Sequence, residues 1–231
     1  MVRKDYIPNT DFYIFQEPGN FSFGTDSLML LDFSIAKGKV VDLGCGTGIL
    51  SLGLAARSNV EIIYSVDIQT DVLELLKKSI AENKLGNKVI PVLSGIEDFM
   101  KVHPIYPNAV IMNPPYFEND IENEKENHRI SRHHLGIEPW IATASKMLQT
   151  KGTLELVYRP QRLAELTEIM RKYRIEPKVW QFVRTKAQSQ AKSVLVRGVK
   201  DGGTGLKIMP DIITHYEDGK IRNWTNDLIE R

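Results

Sequence analysis

The chain of 231 residues, with 42% hydrophobic and 26% charged residues, is long enough for one full-sized α/β domain and has the composition of an ordinary soluble protein. A net charge of +1 excludes attraction to nucleic acid by total charge, so any such attraction must come from how charge is distributed. The single cysteine, Cys45, excludes an intramolecular disulfide, and no stretch approaches the ~20 consecutive apolar residues that span a bilayer. The charged N-terminus has no apolar core of the signal-peptide type, so we expect a cytoplasmic protein.

The N-terminal part of the chain predicts a small cap on the main domain. Aromatic and apolar residues 12–15 are followed by a Glu-Pro-Gly turn, which favours a short hairpin. Thr25 and Asp26 precede an apolar run at 28–31, and either side chain suits the N-cap of a helix through that run.

A ligand site is predicted where residues 39–43, an apolar strand, lead into Gly44-Cys45-Gly46-Thr47-Gly48 and a helix over 49–57. Glycines let the backbone approach a ligand closely at such a strand–loop–helix junction. The spacing is Gly-x-Gly-x-Gly after Asp42, and differs from the Gly-x-Gly-x-x-Gly that suits a pyrophosphate. An acid at the strand end opposes a diphosphate, so a ligand carrying an ammonium and a sulfonium fits better than NAD.

The next strand, predicted over 61–68, ends near Asp67, about 20 residues after the glycine loop, which is the spacing of a ribose-hydroxyl acceptor. Asp71 can cap the following helix, predicted over 71–83, and this leaves Asp67 for the ligand. A third strand over 88–93 leads to residues 94–98, which would pass beside an adenine ring. Within that segment Glu97 or Asp98 equally suits the start of another helix.

A fourth apolar strand, 109–112, ends at Asn113-Pro114-Pro115-Tyr116. Two prolines fix φ and remove two N–H donors, so the backbone leaves the sheet in a rigid corner. The corner presents an amide oxygen and free carbonyls that can accept from one NH2 group, and a tyrosine ring that can stack on a flat heterocycle. This is chemistry for holding an exocyclic amine, although a plain strand followed by a Pro-Pro turn gives the same pattern.

Residues 118–134 have no apolar period, and a loop this long beside a site is a lid, a substrate-binding element or a disordered segment. Its histidines have no zinc-ligand spacing, so the basic second half favours phosphate contact or a solvated face over a metal site. Between residues 159 and 200 there are eleven Lys and Arg against three Glu. That excess is typical of either a phosphate-binding face or a solvated helix surface.

The remaining pattern predicts helices over 137–148 and 161–173, a strand over 153–157, and an antiparallel pair formed by 179–183 and 193–199. The tail predicts a hairpin and a terminal helix. We therefore expect a doubly wound, Rossmann-like α/β fold whose mostly parallel seven-stranded sheet has one antiparallel strand. Residues 1–231 are predicted to form one domain, divided into a cap (1–37), a core (38–200) and a C-terminal extension (201–231).

The order of these motifs resembles that of class I S-adenosylmethionine-dependent methyltransferases that act on an exocyclic nitrogen. Within that class, the stretch Phe23-Gly24-Thr25-Asp26-Ser27-Leu28, the Asn-Pro-Pro-Tyr-Phe motif and the Arg132-His133 region resemble the bacterial tRNA (adenine-N6)-methyltransferases. The segment from Ala191-Lys192 to Lys200, with the glycines that follow, carries the same resemblance. Members of that family modify valine tRNA at the adenine next to the anticodon.

The resemblance implies a role for each matching residue. Asp42, Gly44 and Gly46 would hold the methionine part of the cofactor, and Asp67 the ribose, with Ile68 beside it. Many relatives have an acid where this chain has Ile96, so Ile96 would hold the adenine by its backbone and by apolar contact. Thr25 and Asp26 would close over the cofactor, and the RNA would be bound by basic residues of the loop and the carboxyl third: Arg129, Arg132, His133, Lys186 and Lys192.

The implied mechanism is direct methyl transfer, leaving S-adenosylhomocysteine and requiring no metal. The target adenine must leave its stack and lie on Tyr116, while Asn113 Oδ1 and the Pro114 carbonyl accept from its N6 hydrogens. Adenine N6 is a poor nucleophile, so alignment and these dipoles, more than a general base, should supply the acceleration. A monomer suffices for this chemistry.

Two other substrates are compatible with the Asn-Pro-Pro-Tyr motif. The release-factor methyltransferases modify a protein glutamine with the same motif, but they carry an N-terminal helical domain, and here only ~40 residues precede the first core strand, too few for such a domain. DNA adenine methylation is less favoured because the chain has no separate target-recognition domain. A cofactor-binding module without enzymatic activity is the third alternative.

Overall fold

The computed structural model describes residues 2–17, 24–115, 136–216, 218 and 220. Its strands and α-helices follow one another along the chain as β1 (Arg3–Tyr6), β2 (Tyr13–Gln16), α1 (Thr25–Phe33), β3 (Gly38–Leu43), α2 (Ile49–Ala55), β4 (Val60–Asp67), α3 (Thr70–Glu82), β5 (Val89–Leu93), α4 (Phe99–Val102), β6 (Ala109–Met112), α5 (Glu138–Met147), β7 (Thr153–Tyr158), α6 (Leu163–Lys172), β8 (Ile175–Arg184), β9 (Ala191–Lys200) and β10 (Lys207–Ile213). Strands alternate with helices through the middle of the chain, as the apolar periodicity predicts.

The central sheet has the strand order β10-β8-β9-β7-β6-β3-β4-β5, and β9 runs antiparallel to both of its neighbours. The predicted α/β fold with one antiparallel strand is confirmed. The tail adds an eighth strand, because β10 pairs parallel to β8 where a hairpin was predicted. The predicted terminal helix lies outside the described residues.

Helices cover both faces of the sheet. One apolar core packs α1, α2 and α3 on the first face and includes Ile7 and Ile14 of the N-terminal hairpin. The other packs α4, α5 and α6 on the second face. The helices change face where the chain passes from β5 to β6, so β3 has β4 on one side and β6 on the other. In an open α/β sheet, ligands bind outside the carboxyl ends of the strands at this switch point.

The predicted N-terminal hairpin is formed by β1 and β2 and lies on α3. The Tyr13 amide donates to Asn83 Oδ1 at 2.8 Å, and the Phe15 amide donates to Ser79 Oγ at 2.9 Å. The buried Ser79 of α3 and the half-buried Asn83 at its C-cap therefore satisfy two amides of β2, which fixes the hairpin on the helix. The division into cap, core and extension stays a prediction.

Two predicted helix caps are wrong. Gly24 occupies the N-cap of α1 without a side-chain hydrogen bond, so Thr25 and Asp26 are the first residues of the helix. Gln69 occupies the N-cap of α3, and Asp71 lies in its first turn. Helix α1 begins at least one residue earlier than the capping pattern indicates, and α3 begins two residues earlier.

Candidate active site

The site lies at the switch point of the sheet, where β3 and β6 end side by side. Their parallel register pairs Asp42 with Ile111, so Gly44 and Asn113 each follow two residues later on neighbouring strands. Hydrogen-bonded strands lie about 4.8 Å apart. The structure thus brings the glycine loop and the proline corner to the same point of the sheet edge.

The glycine loop has a backbone that favours glycine at each step. Gly44 has a φ of 70° and Gly46 a φ of 53°, both in the left-handed region. A Cβ on Gly44 would lie 2.8 Å from the ring of Trp140 on α5, whereas a Cβ on Gly46 would meet no heavy atom of the described residues within 4 Å. Gly44 is therefore needed for packing, and the described residues leave an open cradle above Gly46 at the sheet edge.

Asp42 is a fully buried carboxyl at the end of β3. Its Oδ2 accepts from the Ser51 amide at 3.1 Å and from Ser51 Oγ at 2.6 Å, and the Ser51 hydroxyl also lies 2.6 Å from Ser65 Oγ. Its Oδ1 has no hydrogen-bond partner among the described residues. Burial raises the pKa of Asp42 to about 7, and the nearby negative charge of Asp67 adds to this.

Asp67, at the end of β4, ties the glycine loop to the neighbouring strand. Its Oδ2 accepts from the Gly46 amide at 2.9 Å, and its Oδ1 accepts from the Gln69 amide at 2.9 Å. The prediction that Asp71 leaves this carboxylate free is wrong, because Asp67 itself fixes the approach to α3. Each of its oxygens keeps a second acceptor position, so a role toward ribose stays a prediction.

Apolar side chains lie beyond Asp67 at the sheet edge where the glycine loop and the proline corner meet, a place that we call the cleft. Ile68 is 71% exposed after the end of β4, and Leu93 is 59% exposed at the end of β5. Ile96 is half-buried against the core. Asp98 is exposed, pairs with Lys101 at 2.6 Å and directly precedes α4, as expected of a residue that begins a helix. Ile68 thus offers an uncovered apolar face where a flat ring could lie.

The proline corner is anchored by its amide. Asn113 is half-buried, Pro114 is buried and Pro115 is exposed. Asn113 Nδ2 donates to Ser27 Oγ at 2.9 Å. Tyr116, the last residue of the predicted catalytic set, lies outside the described residues.

The first turn of α1 spans from this corner to the antiparallel strand. Next to Ser27, Asp26 Oδ1 accepts from the Ser193 hydroxyl on β9 at 3.0 Å, and Thr25 is exposed. Neither side chain is shown to contact the glycine loop, so their closing over a cofactor stays a prediction.

Two of the predicted RNA-binding residues lie near the same edge of the sheet. The connection from β8 to β9 carries Lys186, and the exposed Lys192 begins β9. This connection lies at the edge where the parallel strands end, since β8 runs in the same direction as β7. Arg129, Arg132 and His133 lie outside the described residues.

Two negative findings concern the part of the chain that the structure describes. No group of three or more His, Cys, Asp or Glu side chains is arranged to hold a metal ion there. No helix in these residues is both long and apolar enough to cross a bilayer.

Cys45 is buried, and burial together with Asp42 and Asp67 raises the pKa of its thiol well above the ordinary value.

Comparison with known proteins identifies the family. The model of the methyltransferase small domain family matches residues 12–183. The chain belongs to this family. A relative named tRNA1(Val) (adenine(37)-N6)-methyltransferase from Shewanella baltica is 30% identical over 166 residues, 69% of each chain. One of the same name from Parabacteroides distasonis is 23% identical over 180 residues, 76% of each chain.

The solved structure of a predicted O-methyltransferase from Agrobacterium tumefaciens has a TM-score of 0.71 at 20% identity and covers 89% of this chain and 96% of its own. This likeness confirms the methyltransferase fold. The protein is an S-adenosylmethionine-dependent methyltransferase, as the sequence resemblance predicts.

The residues of this methyltransferase fit its cofactor. S-Adenosylmethionine carries an ammonium, a sulfonium and a flat adenine. The unpartnered Asp42 Oδ1, the open cradle above Gly46 and the exposed Ile68 are chemically suited to a ligand with these groups. The carboxylates of Asp42 and Asp67 at this sheet edge do not suit a dinucleotide phosphate.

Three residues of the site were missed by sequence reasoning. Ser51 binds the Asp42 carboxylate, Trp140 packs on Gly44, and Ser27 binds the Asn113 amide. Ser51 lies in the first turn of α2, shortly after Gly48, and this position could have been used to predict a hydrogen-bonding side chain beside the glycine loop. Trp140 and Ser27 are brought in from distant segments. Ser27 lies in the stretch 23–28 that carries the family resemblance, but its contact with Asn113 cannot be predicted from that stretch, and no local pattern marks Trp140.

Proposed function

We propose that the protein transfers the methyl group of S-adenosylmethionine to the exocyclic N6 of an adenine in RNA. The substrate is a tRNA, and by likeness to the curated relatives it is valine tRNA at adenine 37, next to the anticodon. A cytoplasmic location and a monomeric enzyme are part of this proposal.

The observation that carries the proposal is the place of Asn113. Its backbone leaves the sheet beside the glycine loop, on the strand adjacent to β3. Its Nδ2 is engaged by Ser27, which leaves the amide oxygen to accept from a substrate. An amide oxygen at this point, followed by a proline carbonyl, suits an NH2 group and would repel a substrate that presents only acceptors.

The cofactor is held by the glycine-loop side of the cleft. Asp42, Gly44 and Gly46 hold its methionine part, because a buried carboxylate and an open backbone cradle suit a compact cation. Asp67 accepts from the ribose. The adenine lies on the apolar surface formed by Ile68 and Ile96, and Thr25 and Asp26 at the start of α1 cover the cofactor from the other side.

When bound, S-adenosylmethionine supplies an electrophilic methyl group on its sulfonium. The residues of the chain align the nucleophile. Asn113 Oδ1 and the Pro114 carbonyl each accept a hydrogen bond from one N6–H group, which directs the nitrogen lone pair and weakens its conjugation with the ring. After transfer the methylated nitrogen loses its extra proton to solvent. Pro115 holds the corner rigid, and Tyr116 stacks on the extruded base. The pKa of Asp42 lies near 7, but this carboxyl is buried on the cofactor side and is not the base for N6.

The RNA is bound along the same edge of the sheet. Lys186 and Lys192 at the β8–β9 connection contact phosphates of the RNA. The predicted loop over residues 118–134 contributes further phosphate contacts through Arg129, Arg132 and His133. The net charge of +1 makes such a local cluster the source of affinity. Replacing either lysine should weaken binding of different tRNAs to a similar degree and reduce its salt dependence.

The test is transfer of labelled methyl from S-adenosylmethionine to total tRNA, DNA and release factor in parallel reactions. We expect label in tRNA, recovered as N6-methyladenosine after nuclease digestion. Label confined to release factor would show glutamine methylation, and label confined to DNA would show a DNA adenine methyltransferase. A methyl group on N1 or on a ring carbon would contradict the role given to Asn113.

The matched variant is Asn113→Ala. We expect turnover to fall by about 1,000-fold with cofactor affinity within about twofold of wild type, because the amide acts on the target nitrogen. A protein that only binds its cofactor and partner would keep its function in this variant. The control is Asn83→Ala, which removes a remote side-chain amide that binds the N-terminal hairpin.

A further inference from the structure

We infer that Ser27 is a positioning residue for the proposed reaction: its hydroxyl fixes the orientation of the Asn113 amide so that oxygen, and not nitrogen, faces the target amine. This inference rests on the proposed function of Asn113 and adds a residue from a segment 86 positions away in sequence. Ser27 acts through Asn113 and touches neither substrate nor cofactor.

The contact is well defined. Ser27 is 4% exposed and lies on the buried side of the first turn of α1. Its Oγ accepts from Asn113 Nδ2 at 2.9 Å, an ordinary length for an N–H···O bond. A buried hydroxyl that makes this bond is costly to remove, because the amide nitrogen would then lose a partner.

The orientation of an asparagine amide decides what it presents. Its oxygen is an acceptor and its nitrogen carries two donors, and rotation by half a turn about χ2 exchanges them. The target N6 also donates, so a rotated amide would set two donors against each other. In the structure Ser27 is the neighbour that accepts from Nδ2, and in this orientation the amide oxygen is left for the target amine.

The serine is itself held firmly. One residue earlier, Asp26 accepts from Ser193 on β9 at 3.0 Å. At the other end of α1, Arg57 donates to the Leu31 carbonyl at 2.5 Å and to the Ser34 carbonyl at 2.7 Å. Both ends of the helix are therefore bound to the main domain, and the Ser27 hydroxyl meets Asn113 from a fixed direction.

The first experiment compares Ser27→Ala with wild type under single-turnover conditions. We expect the rate to fall about tenfold with the KM for tRNA and the affinity for S-adenosylhomocysteine unchanged, since one hydrogen bond orients the amide. Ser27→Thr keeps the hydroxyl and should restore most of the rate. A control is Ser79→Ala, another buried helical serine that accepts a backbone amide, remote from the cleft, and its rate should equal that of wild type.

The second experiment separates orientation from folding. In Asn113→Asp both side-chain oxygens accept, so rotation by half a turn changes nothing. Adding Ser27→Ala to this variant should change its rate by less than about twofold, whereas a purely structural role would cost about tenfold in both backgrounds. Thermal unfolding of each variant checks that the fold is intact.

Three results would overturn the inference: a wild-type rate for Ser27→Ala, an equal loss for Ser27→Ala and Ser27→Thr with unchanged unfolding temperatures, or the same tenfold cost in the aspartate background. Failure of the proposed function gives a different pattern. In that case Asn113→Ala itself retains transfer to tRNA, or label appears only in protein or DNA. A defective Asn113→Ala with a fully active Ser27→Ala would reject the role of Ser27 alone.

Discussion

Two fully buried carboxylates lie on neighbouring parts of the same sheet but differ in the charges that surround them. Glu155 on β7 accepts from Arg197 Nε at 2.7 Å and from the Ile35 amide at 3.0 Å, and the guanidinium of Arg57 is close enough to interact with it. Among the described residues, Asp42 on β3 accepts only from Ser51, and the charge that acts on it is the negative Asp67. Each leaves one oxygen without a hydrogen-bond partner in the described part of the chain.

The difference lies in the cation beside each carboxylate. Burying a carboxylate is costly unless a cation accompanies it. Glu155 has its cation within the chain and fixes the end of α1 through Arg197, which also donates to the Phe33 carbonyl. Asp42 has none among the described residues, its pKa is raised to about 7, and it lies beside the open cradle of the glycine loop. We propose that a cationic ligand is the partner of this carboxylate.

The largest expected effect is on the paired carboxylate. Glu155→Gln should lower the free energy of unfolding by about 3 kcal/mol, because it leaves the buried guanidinium of Arg197 without its counter-charge. Chemical denaturation followed by circular dichroism measures this. The double variant Glu155→Gln with Arg197→Met should recover part of the loss, and Glu74→Ala, which removes an exposed pair with Lys77, should change stability by less than about 0.5 kcal/mol. A loss below about 1 kcal/mol for Glu155→Gln would contradict its structural role.

The unpaired carboxylate should behave in the opposite way. The folded-state pKa of Asp42, about 7, lies above the ordinary 3.8, so the folded protein binds the extra proton and wild type loses stability as pH rises through that window. Asp42→Asn cannot ionise, so its stability relative to wild type should rise between about pH 4 and about pH 7 and be constant above pH 7. Unfolding of both proteins at pH 4, 6 and 8 tests this. A stability difference between the two proteins that does not change with pH would refute it.

Cofactor affinity should also depend on the ionisation of Asp42, but here the ionised carboxylate is the favourable form. If Asp42 binds a cation as carboxylate, the affinity for S-adenosylhomocysteine rises about tenfold per pH unit up to its pKa of about 7 and is constant above it. Calorimetry between about pH 5.5 and about pH 8.5 measures this profile, because that range extends about one and a half units on either side of the expected pKa. Asp42→Asn should bind weakly and without the slope. A flat profile in wild type would show that this carboxyl does not engage the ligand.

The weakest of these effects is expected for a change at Ser51, which binds the Asp42 carboxylate. Its hydroxyl and amide lower the pKa of Asp42, against the larger effect of burial. Ser51→Ala removes the hydroxyl bond and should move the midpoint of the binding profile upward by about one pH unit. At pH 7 this is a loss of affinity of only about threefold to tenfold. Ser145→Ala, a buried serine that binds the remote Tyr173 carbonyl, should leave the midpoint in place.

Much of the fold follows from local pattern. The apolar runs 39–43 and 109–112 are predicted within one residue of β3 and β6, because a buried parallel strand needs apolar side chains on both faces. β8 extends further than predicted, since it passes Pro177, which has no amide for the ladder, by a shift in register before Val179. The order of strand, glycine loop and helix, and the corner at Asn113, were likewise readable from the sequence.

Local pattern predicts an acid with a glycine loop after one apolar strand and a proline corner after a later one, because periodicity, glycine and proline act over a few residues. The partners of these residues come from distant segments that the fold brings together. The fold gives Glu155 the cation Arg197, leaves Asp42 without a cation among the described residues, and places Ser27 on the Asn113 amide. Contacts across 86 or 42 positions depend on how helices pack on a sheet, and no residue carries that information in its local neighbourhood.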